Sequence, residues 1–196
     1  APNKFESYGE EEIKAVEECL RDGWLAGFGD RTVKFEKRVA DIFGKGRGLF
    51  VNSGSSAILL GLCALDLPKG SEVVTPSCGF ATTVAPLMQL GLKPIFCDVG
   101  IDSYVPTVDD LKKVVTPNTK CLLLPNLIGN VPDWSAIREA FPNLILFEDS
   151  ADTITKTLCT DISTTSFYAS HVITAGGCGG MVMFNDEEHL KRALMF

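Results

Sequence analysis

The chain has 196 residues, with 18 Lys and Arg against 25 Asp and Glu, and a formal net charge of −7 at pH 7. Apolar residues make up 45% of it, enough to bury a sizeable core without signs of disorder. An acidic chain lacks the basic surface that nucleic-acid binding requires, so nucleic acid is not an expected partner. We find no apolar stretch of bilayer-spanning length and no leader-like start, and we expect no membrane partner.

Seven cysteines are spread along the chain, and no two lie closer than 15 residues. This spacing contains no C-x-x-C pair of the kind that metal sites use, so we predict no metal site. An odd number of thiols, most of them in apolar runs, is typical of buried, reduced cysteines in a cytoplasmic protein.

Helical and strand periodicities alternate from the first residues onward. The pattern predicts a helix over residues 10–20, with Ile13, Val16 and Leu20 on one face. It predicts a second helix over 30–43, with Val33, Val39 and Ile42 inward. Seven short strands are predicted, at residues 49–51, 72–75, 94–98, 121–124, 144–147, 165–168 and 181–184. Between and after them we predict helices at residues 55–65, 80–90, 108–115 and 133–141 and from about 186.

Continuous apolar strands that alternate with helices predict an α/β fold, a mostly parallel sheet sandwiched by helices. We divide the chain into an N-terminal arm and helix, residues 1–30, and one large domain, residues 31–196. The last predicted helix ends in an apolar run without a stop signal. We therefore expect a longer protein, of which this is the N-terminal part.

Ligands in such sheets bind beyond the carboxyl ends of the strands, where several suggestive residues fall. The small polar turn at residues 52–56 offers N–H groups, hydroxyls and a helix N-terminus to a phosphate, although Ser and Gly also cap helices for structural reasons alone. Glu148 and Asp149 close an apolar strand. A carboxylate there is costly to bury without a cationic partner, which makes this pair a functional candidate.

Two further strand-end residues have ordinary structural interpretations when they are taken singly. Phe80 is by itself expected to lie in the core. His171 is one of two histidines, and a lone histidine is more often a satisfied core or surface residue than a catalyst. The glycine clusters at residues 27–29 and 44–48 do not match the dinucleotide-binding fingerprint, because neither links a strand to a helix properly.

Taken in order and spacing, these motifs resemble the large domain of the fold-type I PLP-dependent transferases. More narrowly, they are similar to the DegT/DnrJ sugar-nucleotide aminotransferases and dehydratases. The resemblance covers nearly the whole chain and implies that the family's C-terminal small domain is absent or truncated here. It is carried by residues 8–13, 23–27, 52–55, 76–80, 91–94, 98–99, 109–111, 125–130, 148–149, 166–168 and 179–182.

The resemblance implies a cofactor site with a role for each matching residue. Gly54 and Ser55 match the backbone cradle for the cofactor phosphate, and Ser166 matches a serine that adds its hydroxyl to it. Phe80 matches the aromatic residue that stacks on the pyridine ring. Asp149 matches the carboxylate that pairs with the pyridine nitrogen and keeps it protonated.

Asp152 falls where aminotransferases of the group commonly have Gln, beside the ring. Five positions after Ser166, where the aminotransferases have the Lys that binds the cofactor covalently, this sequence has His171. Lys156 lies outside the motif. The exchange of Lys for His is the mark of the family's 3-dehydratases, so the resemblance implies PMP or PLP bound non-covalently and His171 as the catalytic base.

The implied activity is a 3-dehydratase acting on a nucleotide-linked 4-keto-6-deoxyhexose in deoxysugar and cell-surface polysaccharide biosynthesis. Two alternatives stay open: a sugar-nucleotide aminotransferase relative, and a catalytically silent PLP-fold protein that acts in regulation or as a partner subunit. One branch of dehydratases holds an iron–sulfur cluster through a Cys shortly after the pyridine carboxylate. Ser150 and Ala151 supply none, which disfavours a cluster.

The resemblance also implies a homodimer, because active sites of the family form between two subunits. Exposed apolar residues at 24–28 and 194–196 agree with buried contacts there. A nucleotide sugar is the expected substrate, and glutamate is a candidate amino donor.

Overall fold

The computed structural model describes residues 8–24 and 27–196. Within them the α-helices are α1 (Glu10–Asp22), α2 (Asp30–Phe43), α3 (Gly54–Leu65), α4 (Ala81–Gln89), α5 (Val108–Val114), α6 (Trp134–Ala140) and α7 (Glu187–Ala193). The strands are β1 (Arg47–Val51), β2 (Glu72–Pro76), β3 (Lys93–Cys97), β4 (Thr119–Pro125), β5 (Ile145–Asp149), β6 (Ile162–Ser166) and β7 (Gly180–Phe184). A single 3-10 turn, Leu127–Gly129, follows β4.

The strands form one sheet in the order β1-β7-β6-β5-β4-β2-β3. Strand β7 runs antiparallel to both of its neighbours, and every other adjacent pair is parallel. Successive side chains of a strand point to opposite faces. In β7, Val182 and Phe184 accordingly pack with α3, while Met181 and Met183 pack with α2. Helices therefore cover both faces, and the predicted α/β class with a mostly parallel sheet is confirmed.

Strand β6 is the element that the sequence placed wrongly. The prediction was residues 165–168, whereas the strand is Ile162–Ser166. Its sequence is mostly Ser and Thr, so it carries no apolar signal, yet all five residues are buried. Their hydroxyls find acceptors inside the protein: Ser163 Oγ donates to Glu148 Oε2, and Thr165 Oγ1 donates to the carbonyl of Ser150.

Helix α1 has no buried residue, and its apolar face is exposed. Trp24 and Phe28 are also exposed, whereas Leu25 and Ala26 lie outside the described residues, so the predicted apolar contact at 24–28 is described only in part. The described residues 194–196 are exposed as well. None of the described helices is long and apolar enough to cross a membrane.

Helix α3 lies unusually close to the sheet at Gly61. A Cβ added to this glycine would lie 2.6 Å from Cζ and 2.8 Å from Cε1 of Phe147, whose side chain is fully buried in β5. The ring cannot move away without displacing its close-packed neighbours. Gly61 therefore sets the distance between α3 and the strand that ends in the predicted site.

We expect Gly61→Ala to lower the free energy of unfolding by about 1–3 kcal/mol through overpacking, although Ala is the better helix former by about 1 kcal/mol. Urea denaturation measures this change. In a Phe147→Leu background the same substitution should cost less, because the shorter side chain vacates the space. An equal loss in both backgrounds would contradict the proposed contact.

Candidate active site

A cavity of about 630 Å³ opens beyond the carboxyl ends of β1, β2, β4, β5 and β6. The structure brings all seven sequence-predicted residues to its wall: Gly54, Ser55, Phe80, Asp149, Asp152, Ser166 and His171. Among the residues that the structure describes, its wall contains no Lys or Arg. An anionic ligand therefore meets backbone N–H groups and hydroxyls here, and a cation meets two carboxyl groups.

The turn that leads into α3 forms a close cradle at one end of the cavity. Ser53 caps the helix, and its Oγ accepts from Ser56 N at 3.1 Å. A Cβ added to Gly54 would lie 2.9 Å from Cβ of Ser166, and one added to Gly180 would lie 2.2 Å from the carbonyl carbon of Ser53. Only glycine fits at these two positions. The first N–H groups of a helix have no acceptor within it, so this cradle suits a phosphate.

The aromatic and acidic side chains lie at another part of the wall. Phe80 is the N-cap residue of α4, and 70% of it is exposed, so its ring does not belong to the core. One turn later, Thr83 Oγ1 donates to Asp149 Oδ2 at 2.7 Å. Helix α4 thus presents an aromatic face to the cavity and holds the buried carboxylate.

The pKa of Asp149 is raised from 3.8 to about 6, chiefly by burial and in smaller part by the nearby negative charge of Asp152. The hydrogen bonds from Thr83 and from the backbone of Ala151 act in the opposite direction, as does His171. No Lys or Arg of the described chain pairs with this carboxylate, and its side-chain hydrogen bond comes from the hydroxyl of Thr83. A protonated ring nitrogen in the cavity would supply the positive charge.

His171 lies beside Asp152. Its Nε2 is 3.7 Å from Oδ1 of Asp152, an ion-pair distance when the imidazole is protonated but too long for a direct hydrogen bond. Its Nδ1 is buried and has no hydrogen-bond partner among the described residues. The other Asp152 oxygen, Oδ2, accepts from Ile128 N at 3.2 Å. The imidazole therefore retains hydrogen-bonding capacity for a ligand.

Two residues that hold this wall together were not predicted from the sequence. Thr83 was hidden inside a predicted helix, although its spacing of three from Phe80 places both on one face of α4. Asn126 follows β4 directly, as a polar residue at a strand end, and this position was the signal that it belonged to the site. It lines the cavity and is almost fully buried.

The model of the DegT/DnrJ/EryC1/StrS aminotransferase family matches residues 6–196. The chain belongs to this family. The dTDP-4-dehydro-2,6-dideoxy-D-glucose 3-dehydratase of Saccharopolyspora spinosa is 37% identical over 191 residues, covering 89% of this chain and 41% of that protein. The dTDP-4-dehydro-2,3,6-trideoxy-D-glucose 4-aminotransferase of the same organism is 35% identical over 196 residues, covering 94% of this chain and 50% of that protein.

Among solved structures, the E. coli GDP-4-keto-6-deoxy-D-mannose-3-dehydratase with bound hydrated PLP is similar, with a TM-score of 0.89 at 31% identity. The match covers 98% of this chain and 53% of that one. The fold is therefore that of the aminotransferase-type PLP enzymes. The chain spans about half the length of the curated relatives that it matches.

We predict a pH signature for Asp149. Its raised pKa means that the folded state binds more protons than the unfolded state between about pH 4 and about pH 6. Stability is therefore lost as the pH rises through this range. The Asp149→Asn variant lacks this titration. Its free energy of unfolding, compared with that of the native protein, should therefore become more favourable by about 3 kcal/mol between acid and neutral pH.

Chemical denaturation across this pH range measures the difference between the two proteins. Thr83→Val removes a hydroxyl that lowers the pKa of Asp149, so this variant should lose stability more steeply with rising pH than the native protein. Parallel pH curves for the native protein and Asp149→Asn would refute the assignment.

Proposed function

We propose that this chain carries the cofactor site and the base of a 3-dehydratase that removes the C3 hydroxyl from a nucleotide-linked 4-keto-6-deoxyhexose, with PMP or PLP bound non-covalently. The observation that carries the proposal is an imidazole, that of His171, in a cavity that holds every other predicted cofactor contact. Family membership and relatives of both reaction types support the class of enzyme. The dehydratase assignment rests on His171.

The residues on the cavity wall fit this cofactor. Gly54 and Ser55 would hold its phosphate through the N-terminus of α3, with the hydroxyl of Ser166 beside them. The exposed ring of Phe80 would stack on the pyridine, and Asp149 would pair with the ring nitrogen. When bound, PMP supplies a primary amine for the 4-keto carbon and a ring that accepts electrons.

Lysine placement supports non-covalent binding. Lys156 is exposed, and its side chain lies against Gly44 at the end of α2, away from the cavity. Lys45 is buried and donates to the carbonyl of Thr157. Neither amine is part of the cavity wall, so no lysine of the described chain is placed to bind the cofactor covalently.

Loss of a hydroxyl as water requires a proton at the leaving oxygen and a base that accepts a proton elsewhere. An imidazole does both near neutral pH. His171 has a buried Nδ1 with no partner in the described residues and the carboxylate of Asp152 near Nε2. This arrangement lets His171 hold a proton against Asp152 and return it to a ligand.

Borohydride tests whether PLP is bound covalently. It attaches PLP permanently to a protein only where a protein amine has condensed with PLP. Reduction of PLP-loaded native protein should leave no label after denaturation. His171→Lys places an amine in the cavity and should give a shifted absorption band and a reducible adduct. Mass spectrometry of peptides locates any label. PLP fixed on Lys156 of the native protein would refute the site.

The decisive assay incubates PMP-loaded protein with a 4-keto-6-deoxy nucleotide sugar and analyses the product by mass spectrometry. We expect loss of the C3 oxygen. His171→Asn should bind cofactor and substrate but turn over about a hundredfold more slowly or worse, because it removes a positioned general base. Asn118→Asp, an exposed change far from the cavity wall, is the control.

The alternatives give other outcomes. A 4-amino sugar formed with glutamate as the amino donor would identify an aminotransferase relative, and binding without turnover would identify a silent PLP-fold protein. We also propose a homodimer, supported by the exposed apolar face of α1 (Ile13, Val16 and Leu20). A well-folded monomer in light scattering at micromolar concentration would contradict it.

A further inference from the structure

Two loops at the rim of the cavity are joined to each other by hydrogen bonds. The first, residues 126–130, follows β4, and the second, residues 150–153, follows β5. Asn126 N donates to the carbonyl of Asp149 at 2.8 Å, and Thr153 Oγ1 donates to the carbonyl of Asn126 at 3.2 Å. Ile128 N donates to Asp152 Oδ2 at 3.2 Å. The loop that bears Asp152, directly after Asp149, is therefore attached to its neighbour at several points.

The side chain of Asn126 is the centre of this attachment. Its Nδ2 donates to Glu148 Oε1 at 2.7 Å and to Ser150 Oγ at 2.9 Å, while its Oδ1 accepts from Trp134 Nε1 at 3.2 Å. Only 1% of the residue is exposed. Both amide hydrogens and the carbonyl oxygen are thus used, and a buried network of this kind fixes one arrangement of its members.

Glu148 anchors the network on the face of the sheet opposite to Asp149. It is fully buried and accepts from Thr157 Oγ1 at 2.9 Å and from Ser163 Oγ, in addition to Asn126. It forms no salt bridge within the described residues. Its hydrogen-bond donors are all neutral side chains, and the buried ammonium of Lys45 is the nearby positive charge. Of these donors, Asn126 is the residue that also lines the cavity.

Ile128 is held in a conformation that its side chain disfavours. Its φ of 53° and ψ of 36° are left-handed, which is strained for a β-branched residue. Its side chain is 72% exposed, so packing does not compensate for the strain. The conformation does bring the N–H of Ile128 to Asp152. Strain of this kind concentrates at functional sites.

We propose that the turn at Asn126 to Ile128 is a positioning device for the Asp152 carboxylate, and that both residues act on His171 through Asp152. Neither is assigned a contact with substrate. The inference deepens the proposed function, since it relies on His171 as the base. The geometry does not depend on the reaction: the two loops are joined, and the N–H of Ile128 donates to one oxygen of Asp152.

Hydrogen exchange of the cofactor-free protein tests the geometry. Asn126→Asp is nearly isosteric but places an acceptor against Glu148, so the amide of Ile128 should exchange about tenfold faster, while the amides of Leu122 and Leu123 in β4 stay protected. Asp152→Ala, which removes the acceptor, should have the same effect. Ile128→Gly keeps the N–H and relieves the strain, so protection at residue 128 should persist. Asn118→Asp is the matched control at an exposed position.

The chain offers a second readout because it has two histidines. In imidazole NMR spectra, Asn126→Asp and Asp152→Ala should change the His171 signals and leave those of His189, in α7, unaltered. In PMP-loaded protein, Asn126→Asp should lower kcat by about tenfold to a hundredfold through misplacement, with KM nearly unchanged and an altered pH profile. These readouts separate positioning from a loss of overall stability.

Unchanged exchange at Ile128 and unchanged His171 signals in Asp152→Ala would overturn the inference, whether or not Asn126→Asp folds. Uniformly faster exchange in Asn126→Asp, with kcat and KM altered only through loss of folded protein, would overturn it too. The inference stands, and the proposed function fails, if the exchange and NMR changes occur as described but the native protein releases no C3 oxygen.

Discussion

The burial of the Asp149 carboxylate at the end of β5 is the constraint on which the site depends. Removing a carboxylate from water is costly, and the hydrogen bonds from Thr83 and from the backbone of Ala151 do not replace its hydration. The pKa of Asp149 is raised because burial still disfavours the charged carboxylate. The group is therefore prepared for a cationic ligand atom, and the phosphate cradle, the exposed ring of Phe80 and the cavity are arranged around the same point.

Two adjacent acidic residues accommodate burial in opposite ways because a strand sends their side chains to opposite faces. Asp149 faces the cavity and retains capacity for a ligand. Glu148 faces the other side, where hydroxyl and amide donors from the loop after β4, from β6 and from the loop between β5 and β6 satisfy it. One short stretch of sequence thus supplies both a binding group and the anchor of the loops beside it.

Overall similarity does not separate the two chemistries of this family, since a 3-dehydratase and a 4-aminotransferase match the chain at 37% and 35% identity. A single side chain distinguishes them on chemical grounds. An amine at position 171 could bond to the cofactor and also move protons, whereas an imidazole can only move protons. In the proposed function, His171 therefore gives up covalent attachment of the cofactor and keeps proton transfer.

The sequence alone determined the α/β class and the mostly parallel sheet, and its resemblance to a known family implied seven residues of the cavity wall. Hydrophobic periodicity predicts which strands and helix faces are buried. The carboxyl ends of parallel strands meet at one edge of the sheet. For this reason the polar residues at the strand ends were expected at one edge, and the family resemblance added Phe80 and His171 to the same site as Gly54. Strand β6 was misplaced because its buried Ser and Thr residues carry no apolar signal.

Only the tertiary structure decided which groups pair. The bond from Thr83 to Asp149 joins residues 66 apart, and that from Ile128 to Asp152 joins residues 24 apart. Such contacts depend on how α4 and the rim loops pack on the sheet, which no local pattern encodes. The same holds for the left-handed turn at Ile128, since a β-branched residue favours the opposite backbone conformation and only contacts made after folding hold it there.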